Sequence, residues 1–188
     1  NTPIMIDAGV GTYTRQTFSS ERYSIWTMQG NYHNIPMING VPEKYGKKYK
    51  ATNARADRRS MSFSVELASA YPKEACVDSW VRSYQLKKSK LSIADNFKLS
   101  EAKCANIINF LTWGDVDISK KGVVSINVKG VKAQLRYDAN IFEPAIETIE
   151  LTDKRLSNVW GDKIYRLSLK AKTATKAGVY KYEITKLK

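Results

Sequence analysis

The sequence is poor in cysteine, glycine and proline, and each shortage excludes a class of protein. Its 188 residues include 2 Cys, too few for a disulfide-stapled mini-protein. With 10 Gly and 5 Pro, the chain is neither collagen-like nor of low complexity. Aromatic residues make up 11% of it, which excludes an intrinsically disordered chain. The composition therefore predicts a folded chain long enough to bury a core as one domain, or as two small ones.

Histidine and long apolar runs are also scarce. His33 is the one histidine, so the chain cannot form a three-histidine zinc site or an HExxH motif by itself. No run approaches the ~20 apolar residues that a membrane helix requires, and we expect no membrane span. The sequence begins Asn1-Thr2-Pro3, without an initiator Met or a signal peptide. We therefore expect it to be a fragment of a longer protein.

Apolar and polar residues alternate along much of the chain. The alternating runs lie at 61–67, 124–128, 131–137, 165–171 and 180–184. Because successive side chains of a strand point to opposite faces, each run predicts a half-buried strand. Many such strands favour antiparallel sheets, since parallel strands read as continuous apolar runs. We predict an all-β, two-layer antiparallel β-sandwich that forms a single domain over residues 1–188.

Turn dipeptides separate several of these runs. They are Gly114-Asp115, Lys121-Gly122, Lys129-Gly130 and Gly161-Asp162. Helical spacing is rare by comparison. Residues 100–110 fit a short helix, or equally a strand that begins near Ile107, and the pattern leaves both alternatives open.

The first forty residues contain a candidate metal site formed by Asp7 and His33. Asp7 ends an apolar, strand-like run, and His33 lies between two further runs of that kind. A carboxylate and an imidazole on adjacent strand ends can bind one metal ion. The alternative is an Asp that hydrogen-bonds in a turn and a structural His, because a zinc site normally has three or four ligands.

Three segments in this region carry a resemblance to a known family. They are Asp7-Ala-Gly-Val-Gly-Thr-Tyr13, Arg22-Tyr-Ser-Ile-Trp-Thr-Met-Gln29 and Tyr32-His-Asn-Ile-Pro-Met-Ile-Asn-Gly40. Together they resemble the C-terminal β-sheet region of the heparinase II/III-like polysaccharide lyases. The segments 80–82, 91–95, 158–161 and 164–167 look like later strands of that region. The resemblance extends over essentially the whole chain, as a fragment of an α/α-toroid plus β-sandwich lyase.

The resemblance implies β-elimination at a uronic acid. A base removes the C5 proton, and cleavage of the C4–O bond leaves an unsaturated uronate. In the family, an N-terminal helical toroid carries the catalytic Tyr and packs against the sandwich. This chain is expected to shape the cleft and to hold a metal-stabilised loop, without activity of its own. Tyr13 and Tyr32 are secondary candidates for a catalytic base.

The same resemblance assigns the metal. Asp7 matches the acidic zinc ligand of the family, and His33 matches its histidine ligand. The third ligand and a catalytic His belong to a strand that would precede Asn1. Zinc is therefore expected in the intact parent protein, whereas this chain alone keeps two ligands and is expected to bind zinc weakly or not at all.

The net charge of +13 predicts a polyanionic partner. An acidic polysaccharide fits the family resemblance, because Lys and Arg pair with carboxylates and sulfates. Nucleic acid is disfavoured, since no basic helix or known nucleic-acid-binding module is present. The alternative for each basic run is a solvated surface.

Arg22, Trp26 and Asn34 are the candidate substrate-binding residues. Arg22 matches an Arg of the family segment and could equally pair with a carboxylate of the chain. Trp26, with the nearby tyrosines, could stack on sugar rings or pack in the core. Asn34 follows His33 directly.

Two further points stay open. Cys76 and Cys104 can pair only if their Cα atoms lie within ~7 Å. The resemblance implies a periplasmic or otherwise exported bacterial protein. A free-standing carbohydrate-binding or cell-surface β-sandwich is the alternative function, and a non-enzymatic polyanion binder is the third hypothesis.

Overall fold

The computed structural model describes residues 2–187, in which β-strands are the dominant element. The strands, in chain order, are β1 (Pro36–Met37), β2 (Thr52–Asp57), β3 (Ser62–Glu66), β4 (Val77–Lys87), β5 (Lys90–Leu99), β6 (Ile107–Thr112), β7 (Asp115–Asp117), β8 (Val123–Val128), β9 (Val131–Tyr137), β10 (Phe142–Glu150), β11 (Lys163–Ala171) and β12 (Ala177–Lys186). One α-helix, α1, spans Lys154–Trp160. Short 3-10 helices lie at Gln16–Phe18, Ser20–Ser24, Trp26–Met28, Gly30–Tyr32, Ala68–Ala70 and Lys73–Ala75.

The strands form two antiparallel sheets. The small sheet has the order β1-β6-β11-β10, and the large sheet has the order β2-β3-β4-β5-β12-β9-β8-β7. Their facing sides bury one hydrophobic core. The predicted all-β, two-layer antiparallel sandwich is therefore confirmed.

Aromatic side chains fill the space between the sheets. Trp80 of β4 stacks on Phe97 of β5 with 4.9 Å between ring centroids, and both are buried. Phe142 of the small sheet meets Tyr180 of the large sheet edge-on at 4.8 Å. Complete burial of such a side chain stabilises the fold by roughly 2–3 kcal/mol. This packing fixes the small sheet against the centre of the large one.

A salt bridge lies inside this core. Arg82 of β4 and Asp95 of β5 are register partners, and their side chains are 2% and 0% exposed. Nε and Nη2 of Arg82 donate to the two carboxylate oxygens of Asp95 at 2.7 Å each. Nη1 donates to the backbone oxygen of Asn34 at 2.8 Å. The core ion pair is therefore tied to the segment that precedes β1.

Residues 2–35, here called the N-terminal segment, cover the outer face of the small sheet. Ile6 and Ala8 pack with Leu111, Leu156 and Ile164 in a second, smaller core. The backbone N–H of Ile6 donates to the carbonyl of Leu111 at 3.0 Å. Strand β6 is consequently buried on both faces.

The N-terminal segment corrects one prediction. The run that ends at Asp7 and the run at 25–29 were expected to be strands, but they form irregular backbone and 3-10 helices, whereas the run after His33 does contain strand β1. Side chains compete with strand pairing here, because Ser19 Oγ accepts from the N–H of Glu21 and Ser24 Oγ donates to the carbonyl of Glu21.

Three smaller differences concern element boundaries. Residues 100–106 are irregular and β6 begins at Ile107, so the strand alternative is correct. Residues 158–160 end α1 instead of forming a strand, because Asp153 caps the helix by accepting from the N–H of Arg155. The strand predicted over 61–67 is shorter in the structure, because Met61 has a φ of 50° and belongs to the turn before β3.

Two other expectations concern cysteine and the membrane. Cys76 and Cys104 are free thiols in the structure. Within residues 2–187, no helix has the length and apolar character of a membrane span.

Candidate functional site

Asp7 and His33 are brought into direct contact by the N-terminal segment. The Nδ1 of His33 lies 2.6 Å from Oδ2 of Asp7. Asn34 holds the two ends of the segment together, because its Nδ2 donates to the carbonyl of Ile6 and its Oδ1 accepts from the N–H of Leu111. The juxtaposition expected from the sequence is present, although it is built by turns and hydrogen bonds across β6 instead of by strand ends.

The contact between Asp7 and His33 shifts the pKa of each group. The hydrogen bond to Asp7 raises the pKa of His33, although partial burial opposes it. The same bond lowers the pKa of Asp7. Glu43, on the loop after β1, has its pKa raised by burial, and the charge of His33 partly offsets this. The site therefore favours an imidazolium beside a carboxylate, with a second carboxyl group nearby.

The donor set does not complete a zinc site. Among residues 2–187, no group of three His, Cys, Asp or Glu side chains is arranged to hold a metal ion. Asp7 and His33 supply one oxygen and one nitrogen, whereas structural zinc takes four ligands and catalytic zinc takes three. The two groups also hydrogen-bond to each other, an arrangement that orients the imidazole.

The candidate bases have different surroundings. Tyr32 lies next to His33, and its ring packs edge-on against Trp26 at 5.3 Å and under the guanidinium of Arg166 at 4.4 Å. Tyr13 is 55% exposed and lies under the guanidinium of Arg155 at 5.0 Å.

The three candidate substrate-binding residues differ in exposure and in their contacts. Arg22 is exposed and lies 6.0 Å from the ring of Tyr23. Trp26 is partly buried and packs on the smaller core. Asn34 uses both ends of its amide on the backbone of the small sheet region, so it positions His33 in this conformation.

Sequence reasoning missed Arg166, whose guanidinium joins the site from β11. Its Nη1 donates to the carbonyl of Asn31 at 3.1 Å, and its Nη2 pairs with Glu147 at 2.6 Å. Arg166 occupies a polar position of an alternating run, which predicts a solvent-facing side chain. No local signal could show that the N-terminal segment covers this face.

Comparison with known proteins bears on the fold of the chain. No family model and no curated relative matches the sequence. Solved structures do match, and 24 chains share the fold.

One of these structures is a heparan sulfate lyase HepC mutant from Pedobacter heparinus, with 13% identity and a TM-score of 0.72 over 97% of this chain. Two structures of a heparinase III gene product, one with methylated lysines, have 12% identity and a TM-score of 0.69 over 98%. The chain spans 28% of the length of each of these proteins. At such identities the likeness shows a common fold.

The lone histidine makes the Asp7–His33 contact directly measurable. In the presence of a chelator, the single imidazole should titrate with a pKa above its usual value of about 6.5. The variant Asp7→Asn should lower the pKa of His33, because the charged hydrogen bond is lost. NMR of the imidazole protons would measure both, and an unchanged pKa in Asp7→Asn would contradict the contact.

The directions of the two pKa shifts determine how the contribution of the Asp7–His33 pair to stability changes with pH. The pKa of His33 is raised on folding, so its contribution is complete below the unfolded pKa and is lost as pH rises through the folded pKa. The pKa of Asp7 is lowered on folding, so its contribution is lost as pH falls through that value. The pair stabilises the fold most at mildly acidic pH, where Asp7 is ionised and His33 is protonated.

Proposed function

We propose that this chain is the C-terminal β-sandwich of a uronic-acid polysaccharide lyase that acts by β-elimination. The observation that carries the proposal is the contact of 2.6 Å between Asp7 and His33. It unites two residues, 26 positions apart, that the family resemblance pairs. The fold likeness to heparan sulfate lyase and heparinase III structures supports the same assignment.

In this proposal the chain positions the substrate, and the base lies outside it. Elimination requires a proton acceptor at C5 and neutralisation of the uronate carboxylate, which otherwise opposes the developing carbanion. Arg22 is exposed and carries a fixed charge suited to a carboxylate. Tyr32 is held between Trp26 and Arg166. Tyr13 and Tyr32 stay as secondary candidates for the base.

Zinc in the intact parent would be held by Asp7 and His33, with further ligands from outside residues 2–187. Its chemistry there would be structural, stabilising the loop that contains His33. We expect zinc to raise the melting temperature of this chain only slightly, because a two-ligand set binds weakly. A calorimetric scan with and without zinc measures this. A large stabilisation that persists in His33→Ala would show that the metal binds elsewhere.

The expected partner domain is the N-terminal helical toroid of the parent. Several exposed apolar side chains lie on the N-terminal segment and α1. They are Val10, Tyr13, Phe18 and Val159. The rings of Tyr13 and Phe18 lie 5.8 Å apart and form an exposed apolar patch. Contiguous apolar patches often pack on a partner, and we propose that the toroid covers this one. The resemblance also suggests export to the periplasm or beyond.

The decisive experiment is an activity assay on a panel of acidic polysaccharides. Ultraviolet absorbance of the unsaturated uronate would be followed for this chain and for the longer protein. We expect product from the longer protein and none from this chain. If the longer protein is folded and gives no product from any uronan of the panel, the lyase proposal is wrong. Product from this chain alone would place the base among its own residues, with Tyr13 and Tyr32 the first to mutate.

A second function, a non-catalytic carbohydrate-binding module, is favoured by one surface pocket. A cavity of about 430 Å³ is lined by Trp113, Trp160 and Asn158. The two indoles meet edge-on at 5.6 Å, and the Nζ of Lys129 lies 4.6 Å from the Trp113 ring. Indole faces beside amide groups are suited to sugars. Saccharide binding without product from the longer protein would favour this function.

A further inference from the structure

A second cavity adjoins the Asp7–His33 site and has no role in the function proposed so far. It measures about 380 Å³ and lies between the 3-10 helices before His33 and the loop after β1. Its walls include Gly30, Asn31 and Glu43. The carbonyl of Gly30 accepts from the N–H of His33 at 3.2 Å, so this wall of the cavity contacts the backbone of the Asp7–His33 site.

Gly30 permits the close approach of these walls. A Cβ at this position would lie 3.1 Å from the backbone oxygen of Glu43 and 3.2 Å from its nitrogen. These distances are tighter than ordinary contacts, so a larger residue would push the two walls apart. The cavity therefore depends on a particular pairing of the N-terminal segment with the loop after β1.

Two tyrosines form an aromatic platform at the cavity. The rings of Tyr23 and Tyr45 are stacked, with 3.4 Å between centroids and 4° between planes. Tyr23 is 37% exposed and Tyr45 is 54% exposed, so the platform is open to solvent. An exposed aromatic pair offers an apolar face with polar hydroxyl tips, which suits the mixed surface of a sugar ring.

Two cations lie near this platform. Lys44 lines the cavity, and Arg22 lies beside Tyr23. Further exposed cations follow on the same loop at Lys47, Lys48 and Lys50. Glu43 is the acidic group of the lining. Lys44 and Arg22 together carry one more charge than Glu43, so these groups favour an anionic ligand.

We propose that this cavity is a binding subsite for one anionic sugar unit, which stacks on the Tyr23–Tyr45 platform and pairs its carboxylate or sulfate with Lys44. The subsite rests on the proposed function for its ligand class, acidic polysaccharide. Because Arg22, the proposed partner of the uronate carboxylate, lies beside Tyr23, the subsite would hold a saccharide unit next to the one presented for elimination. The cavity would thereby set where along the polymer the enzyme acts.

The test is calorimetric titration of this chain with oligosaccharides of defined length. The ligands are a heparan sulfate oligosaccharide, an unsulfated oligouronate and a neutral oligosaccharide of similar size. We expect the two acidic ligands to bind and the neutral one to bind weakly or not at all. Comparison of the sulfated and unsulfated ligands shows which anionic group Lys44 recognises.

Variants of the platform and of its cation locate the subsite. Tyr45→Ala and Lys44→Ala should each weaken acidic-ligand affinity by about five- to tenfold, through loss of stacking and of a charge-assisted hydrogen bond. Tyr45→Phe should keep most of the affinity, because the ring remains. Lys181→Ala is the matched control, since it removes one exposed charge from the large sheet and should change affinity less than about twofold.

The outcomes separate the two proposals. Binding that Tyr45→Ala and Lys44→Ala leave unchanged would overturn the subsite while the lyase proposal stands. Wild-type chain that binds no acidic ligand would overturn the subsite, and the product assay on the longer protein would still decide the lyase proposal. Both substituted side chains are exposed, and circular dichroism would verify that the variants fold.

Discussion

Replacing Asp95 by alanine should lower the free energy of unfolding by about 3–5 kcal/mol. Burial alone would lower the pKa of Arg82, but the charge and hydrogen bonds of Asp95 more than offset this, so its pKa is raised. Without Asp95 the guanidinium remains charged in the core, with the carbonyl of Asn34 as its remaining hydrogen-bond acceptor. Urea denaturation of the wild type and the variant would measure the loss.

Two comparisons make this prediction specific. The double variant Arg82→Met with Asp95→Leu should recover most of the stability, since it removes both buried charges. Glu183→Ala breaks the half-exposed pair with Lys90 and should cost less than about 1 kcal/mol. If Asp95→Ala lowers the free energy of unfolding no more than Glu183→Ala does, the prediction that burial makes this ion pair costly to break is wrong.

The variant Asn39→Ala should cost about 3 kcal/mol or more, the second large effect. Asn39 is buried, and its Nδ2 donates to the carbonyls of Ala75 and Glu101 at 2.8 Å each. Its Oδ1 accepts from the N–H of Lys103 at 2.9 Å. Each buried group left without a partner costs about 1–3 kcal/mol. Thermal or urea unfolding would measure the change.

Backbone strain also contributes to the loss of stability in Asn39→Ala, and it can be measured separately from the loss of hydrogen bonds. Asn39 has a φ of 52°, which Asn tolerates better than Ala. Asn39→Gly keeps this conformation and removes only the side-chain hydrogen bonds. Asn53 is exposed with a φ of 53°, so Asn53→Ala measures the strain alone, at about 1 kcal/mol. Equal losses in Asn39→Ala and Asn53→Ala would show that the hydrogen bonds contribute little.

Much of the sandwich was predictable because strand alternation is a local property. The run 131–137 coincides with β9, and the runs at 165–171 and 180–184 lie within β11 and β12. Lys129-Gly130 forms the turn between β8 and β9, with φ values of 48° and 84°. Such turns favour residues that tolerate positive φ.

The N-terminal segment was not predictable in the same way. Its conformation depends on contacts with β6 and β11, more than 70 residues away, and on hydroxyl groups that bond to nearby backbone. Helix α1 did carry readable signals, namely Asp153 before it and Gly161 after it. The resemblance of residues 158–161 to a strand of the family predicts a strand there, in conflict with these signals.

The candidate site was predictable in part. The pairing of Asp7 with His33 was predicted from the residue pattern, was supported by the family resemblance, and agrees with the geometry. Their metal role and the substrate roles of Arg22, Trp26 and Asn34 stay predictions, as does the single-domain assignment. The Tyr23–Tyr45 platform was not predictable, because contact between residues 22 positions apart produces no local pattern in the sequence.

The position of β12 determines when the large sheet can form during synthesis. Strands β2 to β5 are consecutive neighbours, as are β7 to β9, and β12 is the strand that pairs with both β5 and β9. A ribosome releases the N-terminal residues first, so both groups carry an unpaired edge until residues 177–186 emerge. Unpaired edges invite pairing with other chains. We therefore expect nascent chains of this protein to need protection of these edges until β12 is available.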